Sequence, residues 1–374
     1  MMLIKSRFVD YPIRVLHIVT NMSFGGLENL LMNYYRSIDR TKIQFDFLTH
    51  FDKHQDFEEE INSLGGKLFR LPPLNPFSYS YRKKLDSFFR QHKEYKIVHC
   101  HLDCMAGFPL KYAKRNNISV RIAHSHSSNV VKNAKILVKL LYKRLIPKYA
   151  TTMFSCGKIA GDWMFSGNGY TILNNAINSS EFIYNEERSI KVKEKLGISG
   201  QFVIGNIGQF RIEKNQVFLI EVFKQIVYLD NNVRLVLVGK GEQLEIARQL
   251  GNDLHINDKI LFLGARSDIP DIMQAIDIFV LPSLYEGLPV TMIEAQASGL
   301  PAIISDKVPI ECDVSGNVEQ ISLEKDYKYW AERILSYKNF VRKNNYKIIK
   351  ESGFDIKTNA IWLQEFYINE YKSK

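Results

Sequence analysis

Two glutamates eight positions apart, Glu286 and Glu294, lie in the segment SLYEGLPVTMIEAQASGLPAIIS at 283–305. A probable strand precedes them, ending at Val280-Leu281-Pro282. Gly287 gives the connecting loop a position without a side chain. Pro289 suits the first turn of a following helix, where its missing N–H costs nothing. The free N–H groups around Leu288, Val290 and Thr291 then face outward with a helix dipole behind them, an arrangement that takes an anion. Carboxylates accept hydrogen bonds from paired hydroxyls, so the two glutamates point to a polyol beside that anion. A second cluster, IGQFRIEKNQ at 207–216, also follows a strand. Arg211 and Lys214 place two cations at a sheet's carboxyl end, where they can balance a diphosphate and stabilise it as it leaves. A glycine pair, Gly25 and Gly26, sits in NMSFGGLENLLMN between a strand and a helix and lets a ligand approach the backbone. His99 and His101 share one strand face, as do His124 and His126, because side chains alternate. The string HCHLDC, with Cys100, Asp103 and Cys104 beside those histidines, has metal-ligand chemistry. Neighbouring strand residues face opposite sides, however, so no tetrahedral metal site is expected there.

The elements that must hold these groups follow a simple rhythm. Short β-branched runs at 14–20, 43–49, 96–102, 120–126 and 151–156 alternate with amphipathic stretches such as 26–38 and 104–116. The rhythm restarts at 201–208, 233–239, 259–264, 276–283 and 301–305. Strands alternating with helices argue parallel sheets in an α/β fold. A chain of 374 residues accommodates two such domains. The polar, turn-rich stretch NNAINSSEFIYNEERS marks their junction. The expected division is 1–178, then 179–353, then a terminal helix over 354–374 that packs back on the first domain.

Composition narrows the class. Hydrophobic content of 45% and charged content of 24% fit a globular protein. No apolar run reaches the roughly 18 residues that span a bilayer. Lys5, Arg7, Asp10 and Arg14 break the first hydrophobics, unlike a secretion signal, and the four cysteines form no paired framework. A cytoplasmic protein is expected. Residues 1–178 hold 26 basic and 13 acidic side chains, a balance of +13; the remainder holds 24 and 27, a balance of −3. The first half is thereby expected to meet an anionic surface. Within it, VVKNAKILVKLLYKRLIPKYA at 130–150 interleaves Lys135, Lys139 and Lys143 with leucines and isoleucines and carries no acid. Such a helix either lies in a membrane interface or packs on the body with a solvated lysine face.

The whole string at 283–305 resembles the Glu-x7-Glu motif of retaining glycosyltransferases of the GT-B fold, family 4. The likeness runs over nearly the whole chain and is nearest to transferases that build capsule or exopolysaccharide units. It implies two Rossmann-like domains facing each other across a cleft, with donor on the second and acceptor on the first. It gives Glu294 the ribose hydroxyls of the donor nucleotide and Glu286 a place near the donor sugar. The loop at 287–290 (Gly287, Leu288, Pro289, Val290) meets sugar and diphosphate. The family's Gly-Arg-x-x-x-Glu-Lys loop matches at Lys214; Gln209 stands at the usual Arg position, and the role passes to Arg211. Gly25 and Gly26 match the loop under the diphosphate. Arg266, in FLGARSD, lies beside the segment that meets the base. A family histidine near the donor sugar matches His126 or His124, with His126 favoured, and His99, His101 and His124 fall on the acceptor side.

The implied reaction is retaining transfer from a nucleotide-sugar, by family tendency a UDP-sugar, to a hydroxyl of a lipid-diphosphate-linked sugar. It proceeds at the inner face of the cell membrane, with no cofactor and no nucleic acid partner. No Asp-x-Asp occurs in the chain. That pair is the usual metal clamp of the other large glycosyltransferase fold, so no metal is expected. The competing readings are an epimerase or hydrolase of the same fold, and a non-catalytic nucleotide- or polyanion-binding protein.

Overall fold

A computed structural model of the chain describes residues 12–23, 25–126 and 136–374. It divides into two compact units: one runs up to Ala176 and takes in Ile356–Lys374, and the other is Ile177–Asp355. The second unit thus extends two residues past the expected 353, and the terminal helix belongs to the first.

The first unit is built on seven strands: β1 (Ile13–Ile18), β2 (Ile43–Thr49), β3 (Leu68–Arg70), β4 (Ile97–Cys100), β5 (Val120–Ser125), β6 (Thr152–Ser155) and β7 (Thr171–Ile172). They lie in the order β3-β2-β1-β4-β5-β6-β7. The second unit has six: β8 (Phe202–Ile207), β9 (Val233–Val238), β10 (Ile260–Phe262), β11 (Ile278–Leu281), β12 (Ala302–Ser305) and β13 (Val318–Ile321), in the order β10-β9-β8-β11-β12-β13. The named strand pairs are parallel. This is why β2, β4, β8 and β11 are buried at every position: helices cover both faces of a parallel sheet, so apolar residues run continuously instead of alternating. In each unit the order reverses beside the first strand, between β1 and β4 and between β8 and β11. In doubly wound sheets, ligands bind at the carboxyl ends of the strands flanking such a reversal.

The terminal helix Ile356–Ser373 shares a core with the first unit's opening helix, Gly26–Ser37. Ala360, Leu363, Tyr367 and Ile368 pack in one cluster with Leu30, Tyr34, Tyr35 and Phe45. Gln364 accepts a hydrogen bond from the Asp39 amide at 3.0 Å, which fixes the helix along the sheet. Each fully buried side chain of this size stabilises the fold by about 1.5–3 kcal/mol. Beneath that layer, the buried Asp46 carboxylate accepts from Arg14, from the Tyr95 hydroxyl at 2.7 Å and from the Lys67 amide at 2.7 Å. A lone buried charge is costly, and these three donors offset that cost.

Candidate functional site

The second unit gathers its polar groups at the strand ends on both sides of the β8/β11 reversal. The loop after β8 runs through Gln209 and Arg211 into a short turn of 3-10 helix, Ile212–Lys214. Asn215 ends that turn in the left-handed region at φ +56° and donates to the Pro282 carbonyl at 3.1 Å. Leu284 N–H donates to the Glu213 carbonyl at 2.8 Å. These bonds hold the loop after β8 against the loop after β11, so the Lys214 ammonium meets the Glu286 carboxylate at 2.6 Å. Ser283 donates to the same carboxylate oxygen at 2.7 Å. Arg211, three residues before Lys214, is exposed.

A cavity of about 350 Å³ opens beside this pair, lined by Gln209, Arg211, Lys240, Gly241 and Glu242. Its wall depends on two glycines after β9. A Cβ on Gly239 (φ +148°) would lie 1.9 Å from the Gly208 carbonyl oxygen, and one on Gly241 (φ +153°) 2.1 Å from that of Phe210. No side chain fits either contact, so the backbone after β8 and the backbone after β9 can touch. Arg266, after β10, is held by both carboxylate oxygens of Asp268 at 2.8 and 2.6 Å.

The helix after β11 starts one residue later than expected. Pro289 is its N-cap, with an extended backbone (ψ 111°), and the helix itself is Val290–Ala297. Pro289 closes the loop while its carbonyl accepts from the Met292 amide at 3.0 Å, so the first helical amides are those of Val290 and Thr291. The Thr291 hydroxyl is buried without a hydrogen bond among the described residues. Glu294 lies one turn inside the helix, and burial pushes its carboxyl up to about 7. Near neutral pH it is thus divided between acid and anion and readily ionises when hydroxyl donors arrive.

The first unit places its predicted residues differently. Gly25 caps the helix Gly26–Ser37 in an extended conformation, and a Cβ there would collide with the Glu28 carboxylate. Gly26 has open space around it, so that position does not need glycine for room. The four predicted histidines are joined by a fifth, His17, which pairs in register with His99 across β1 and β4. His17 Nδ1 lies 3.0 Å from His101 Nε2, and His101 Nδ1 lies 2.9 Å from His126 Nε2. His99 Nε2 lies 3.2 Å from His124 Nδ1, while His99 Nδ1 meets the Tyr367 hydroxyl at 2.6 Å.

His99, His101 and His124, expected on the acceptor side, are all buried. The parallel register brings alternate residues of β1, β4 and β5 side by side, with His101 and His126 one residue past the ends of β4 and β5. His126, expected near the donor sugar, joins the same network. Its Nε2 is bound to His101 and its Nδ1 is buried, so neither nitrogen is open to solvent. Burial holds the imidazoles neutral, pushing His17 down to about 3 and His126 to about 4.

His17 and Tyr367 escaped the sequence reading, which considered Asp103 only for metal-ligand chemistry. Asp103 accepts from the His126 amide at 3.1 Å, and burial pushes its carboxyl up to about 6. A lone histidine in an apolar strand gives no signal until strand pairing is known. The four cysteines are free and buried.

Of the basic segment, Lys135 lies outside the described residues. The helix Ile136–Tyr149 packs through Tyr142 and Ile146 onto Gly107, where a Cβ would lie 2.5 Å from the Tyr142 carbonyl oxygen. Its leucines Leu137, Leu140 and Leu141 are exposed, and the Lys143 ammonium sits 4.3 Å above the Trp163 ring. No helix among the described residues is long and apolar enough to cross a membrane.

Comparison with known proteins places this geometry. The family described as Glycosyl transferases group 1 matches residues 189–347, and Glycosyltransferase Family 4 matches 24–162. EpsF of Bacillus subtilis, which bears a glycosyltransferase name, is 34% identical over 371 residues, covering 95% of this chain and 96% of its own. The capsular polysaccharide biosynthesis glycosyltransferase CapH of Staphylococcus aureus is 24% identical over 371 residues, covering 96% and 99%. The UDP-Gal:alpha-D-GlcNAc-diphosphoundecaprenol alpha-1,3-galactosyltransferase of Escherichia coli is 32% identical over 200 residues, covering 49% of this chain and 50% of its own. Among solved structures, Anabaena HepE in complex with UDP superimposes with a TM-score of 0.80 at 16% identity, covering 95% of this chain and 100% of HepE. The strand orders, the paired loops after β8 and β11 and these matches converge: the chain belongs to the family-4 glycosyltransferases of the GT-B fold.

Proposed function

We propose that this glycosyltransferase moves a sugar from a UDP-sugar to a hydroxyl of a lipid-diphosphate-linked glycan, with retention of the anomeric configuration and without a metal ion. The observation that carries the reading is the joined pair of loops at the β8/β11 reversal, which sets Lys214 on Glu286, with Arg211 exposed on the same loop as Lys214 and the helix Val290–Ala297 starting four residues after Glu286. The diphosphate gains charge as its bond to the sugar breaks. Cations fixed in place before that moment stabilise the transition state more than the ground state. Arg211 and Lys214 supply this charge. Glu286, already holding Lys214, orients the ammonium and lies next to the sugar. The Glu294 carboxyl accepts the ribose hydroxyls, and Arg266 flanks the base. The UDP named in the HepE complex and the UDP-Gal and diphosphoundecaprenol named for the Escherichia coli relative support the choice of donor and acceptor.

The basic balance of the first half and the exposed leucines of Ile136–Tyr149 support placement against an anionic membrane surface through Lys135, Lys139 and Lys143. Each basic side chain near such a surface adds on the order of 1 kcal/mol, screened as salt rises. Flotation with anionic liposomes at low salt, lost when the three lysines become glutamate, is the expected result; a parent protein that does not float contradicts it.

Transfer itself is tested by incubating the protein with radiolabelled UDP-sugars and a membrane extract. Label entering the lipid fraction as an α-linked product is expected. Free or epimerised sugar, or an intact donor, would replace transfer by hydrolysis, epimerisation or simple binding.

A further inference from the structure

Five of the protein's nine histidines line one cavity in the first unit: His17, His99, His101, His124 and His126. Its volume is about 10 Å³, room for one ion or one water molecule. The rest of its described lining is leucine, tyrosine and phenylalanine, so no carboxylate lines it there. Neighbouring residues of HCHLDC cannot share an ion, but pairing of β4 with β5 sets alternate residues of both strands on one face. His101 lies one residue past β4, His124 within β5 and His126 one residue past it. One ring nitrogen from each of these three lies within 4.8 Å of those of the other two. A second trio with that property, His17, His99 and His101, offers less, because His99 has both nitrogens engaged, on Tyr367 and on His124.

Three buried ring nitrogens, His17 Nε2, His124 Nε2 and His126 Nδ1, have no hydrogen bond among the described residues. His124 is only 3% exposed, so bulk water does not reach its Nε2. Buried nitrogens left in this way call for a ligand. The nitrogens that do meet are spaced for one. His101 Nδ1 and His126 Nε2 lie 2.9 Å apart. A tetrahedral ion with ligands at about 2.0–2.1 Å holds its nitrogens about 3.3 Å apart, so a small opening of this pair replaces the shared proton by a metal. The tautomers then agree. His101 Nε2–H donates to His17 Nδ1 at 3.0 Å, and His124 Nδ1–H donates to His99 Nε2 at 3.2 Å. His99 Nδ1–H donates in turn to the Tyr367 hydroxyl at 2.6 Å. His126 Nδ1 keeps its proton beside the Asn175 side chain, whose Oδ1 is buried without a hydrogen bond. Of the three orphaned nitrogens, His17 Nε2 alone stays without a role. Metal-bound histidines are held in this manner, by a partner on the second nitrogen. The Asp103 carboxylate, which accepts from the His126 amide at 3.1 Å, supplies negative charge next to the ligands.

We propose that His101, His124 and His126 bind one divalent transition-metal ion of the zinc class, through Nδ1 of His101, Nε2 of His124 and Nε2 of His126, with a water in the cavity as fourth ligand. Imidazole suits zinc, copper and nickel, whereas magnesium and calcium take oxygen ligands. The ion ties the end of β4, from which the turn Asp103–Ala106 departs, to the end of β5. It takes no part in sugar transfer, whose charged groups belong to the second unit, and it does not depend on that reading.

The test is the metal content of the full chain, produced with zinc in the growth medium, purified without a metal-affinity tag and dialysed into metal-free buffer. Elemental analysis is expected to find about one zinc per chain. Production with cobalt instead should give the intense visible bands of four-coordinate cobalt. His124→Gln and His101→Phe are each expected to retain about a tenth of the parent's metal or less. A variant with His54, His92 and His255, which lie outside the cavity, all changed to alanine is expected to retain it in full. Circular dichroism reports whether each variant is folded. The cobalt spectrum is read on the unaltered protein, so it decides the matter even where a variant does not fold. A parent free of metal, the weak bands of six-coordinate cobalt, a parent-like metal content in folded His124→Gln, or loss of the ion from the variant altered outside the cavity overturns the proposal and leaves the cavity to water alone. The readout uses no sugar transfer, so failure of the proposed reaction would not touch it.

Discussion

The two sheets have the same winding but hold their polar residues in opposite states. In the second unit, the groups at the strand ends are charged or ready to become so: Lys214 on Glu286, Arg211 in solvent, Glu294 at about 7. In the first unit, the five histidines at β1, β4 and β5 bond chiefly to one another and stay neutral under the helices. Similar backbone frames therefore serve two purposes. In the second unit the loops past the strand ends carry charged side chains, whereas in the first unit even His101 and His126, one residue past β4 and β5, are drawn into the histidine network.

Breaking the charged pair should have the largest effect. Lys214→Ala is expected to lower kcat by roughly two to three powers of ten, the loss seen when a preorganised transition-state donor is removed, with the fold intact. Initial rates with the best UDP-sugar check this. Near-normal turnover in both Lys214→Ala and Arg211→Ala would remove the diphosphate role from this loop and direct attention to Gln209.

The histidine network should respond in stability rather than in donor binding. His101 bonds to both His17 and His126, so His101→Phe leaves two buried nitrogens without their partner. A loss of about 3 kcal/mol is expected, since each orphaned buried group costs about 1–3 kcal/mol. Urea unfolding measures it, and UDP titration should show affinity within twofold of the parent. A stable variant that has lost UDP binding would make the imidazoles part of the donor site and erase the contrast between the units.

Acidity separates the units further. His17 and His126 have folded values of about 3 and 4 against 6.5 for the free side chain, so the unfolded chain binds more protons below 6.5. Their contribution to stability is complete above pH 6.5 and is lost as pH falls toward 4. Glu294 has the opposite sign, about 7 folded against 4.5 free. Its contribution is complete below pH 4.5 and is lost as pH rises through 7. Amide protection factors of the ligand-free protein, corrected for the intrinsic exchange rate at each pH, should therefore fall in β1, β4 and β5 on going from pH 7 to 5. Over the same interval exchange in the helix Val290–Ala297 should slow relative to the Glu294→Gln variant, by roughly tenfold at most. Parallel responses in both regions would contradict the assigned burial.

Much of the second unit was legible because its functional residues follow strand ends in sequence. Glu286 and Glu294 straddle a glycine-proline helix start, and Lys214 follows an apolar run that can only be a buried strand. The residues at 283–305 thus specify their own geometry locally. Pro289 shows the limit: its fixed φ suits both a first helical position and a cap, and the extended ψ was set by the loop that brings Glu286 to Lys214. The first unit was less readable because its network depends on register between distant strands. His17 and His99 are 82 positions apart in the sequence yet side by side in the sheet. Strands β3, β7 and β13, with two to four residues each, are too short to show a period of two.

The central claim is that the second unit holds the donor nucleotide through Glu294. Isothermal titration of UDP into the parent and Glu294→Ala, repeated at pH 6 and pH 8, tests it most directly. Ribose hydroxyls bond best to the ionised carboxyl, so the parent should bind UDP more tightly at pH 8 than at pH 6, while the variant binds at least tenfold more weakly than the parent at pH 8 and loses the Glu294-dependent part of that pH response. Equal UDP affinity in the two proteins at pH 8 would place Glu294 away from the ribose and contradict the account.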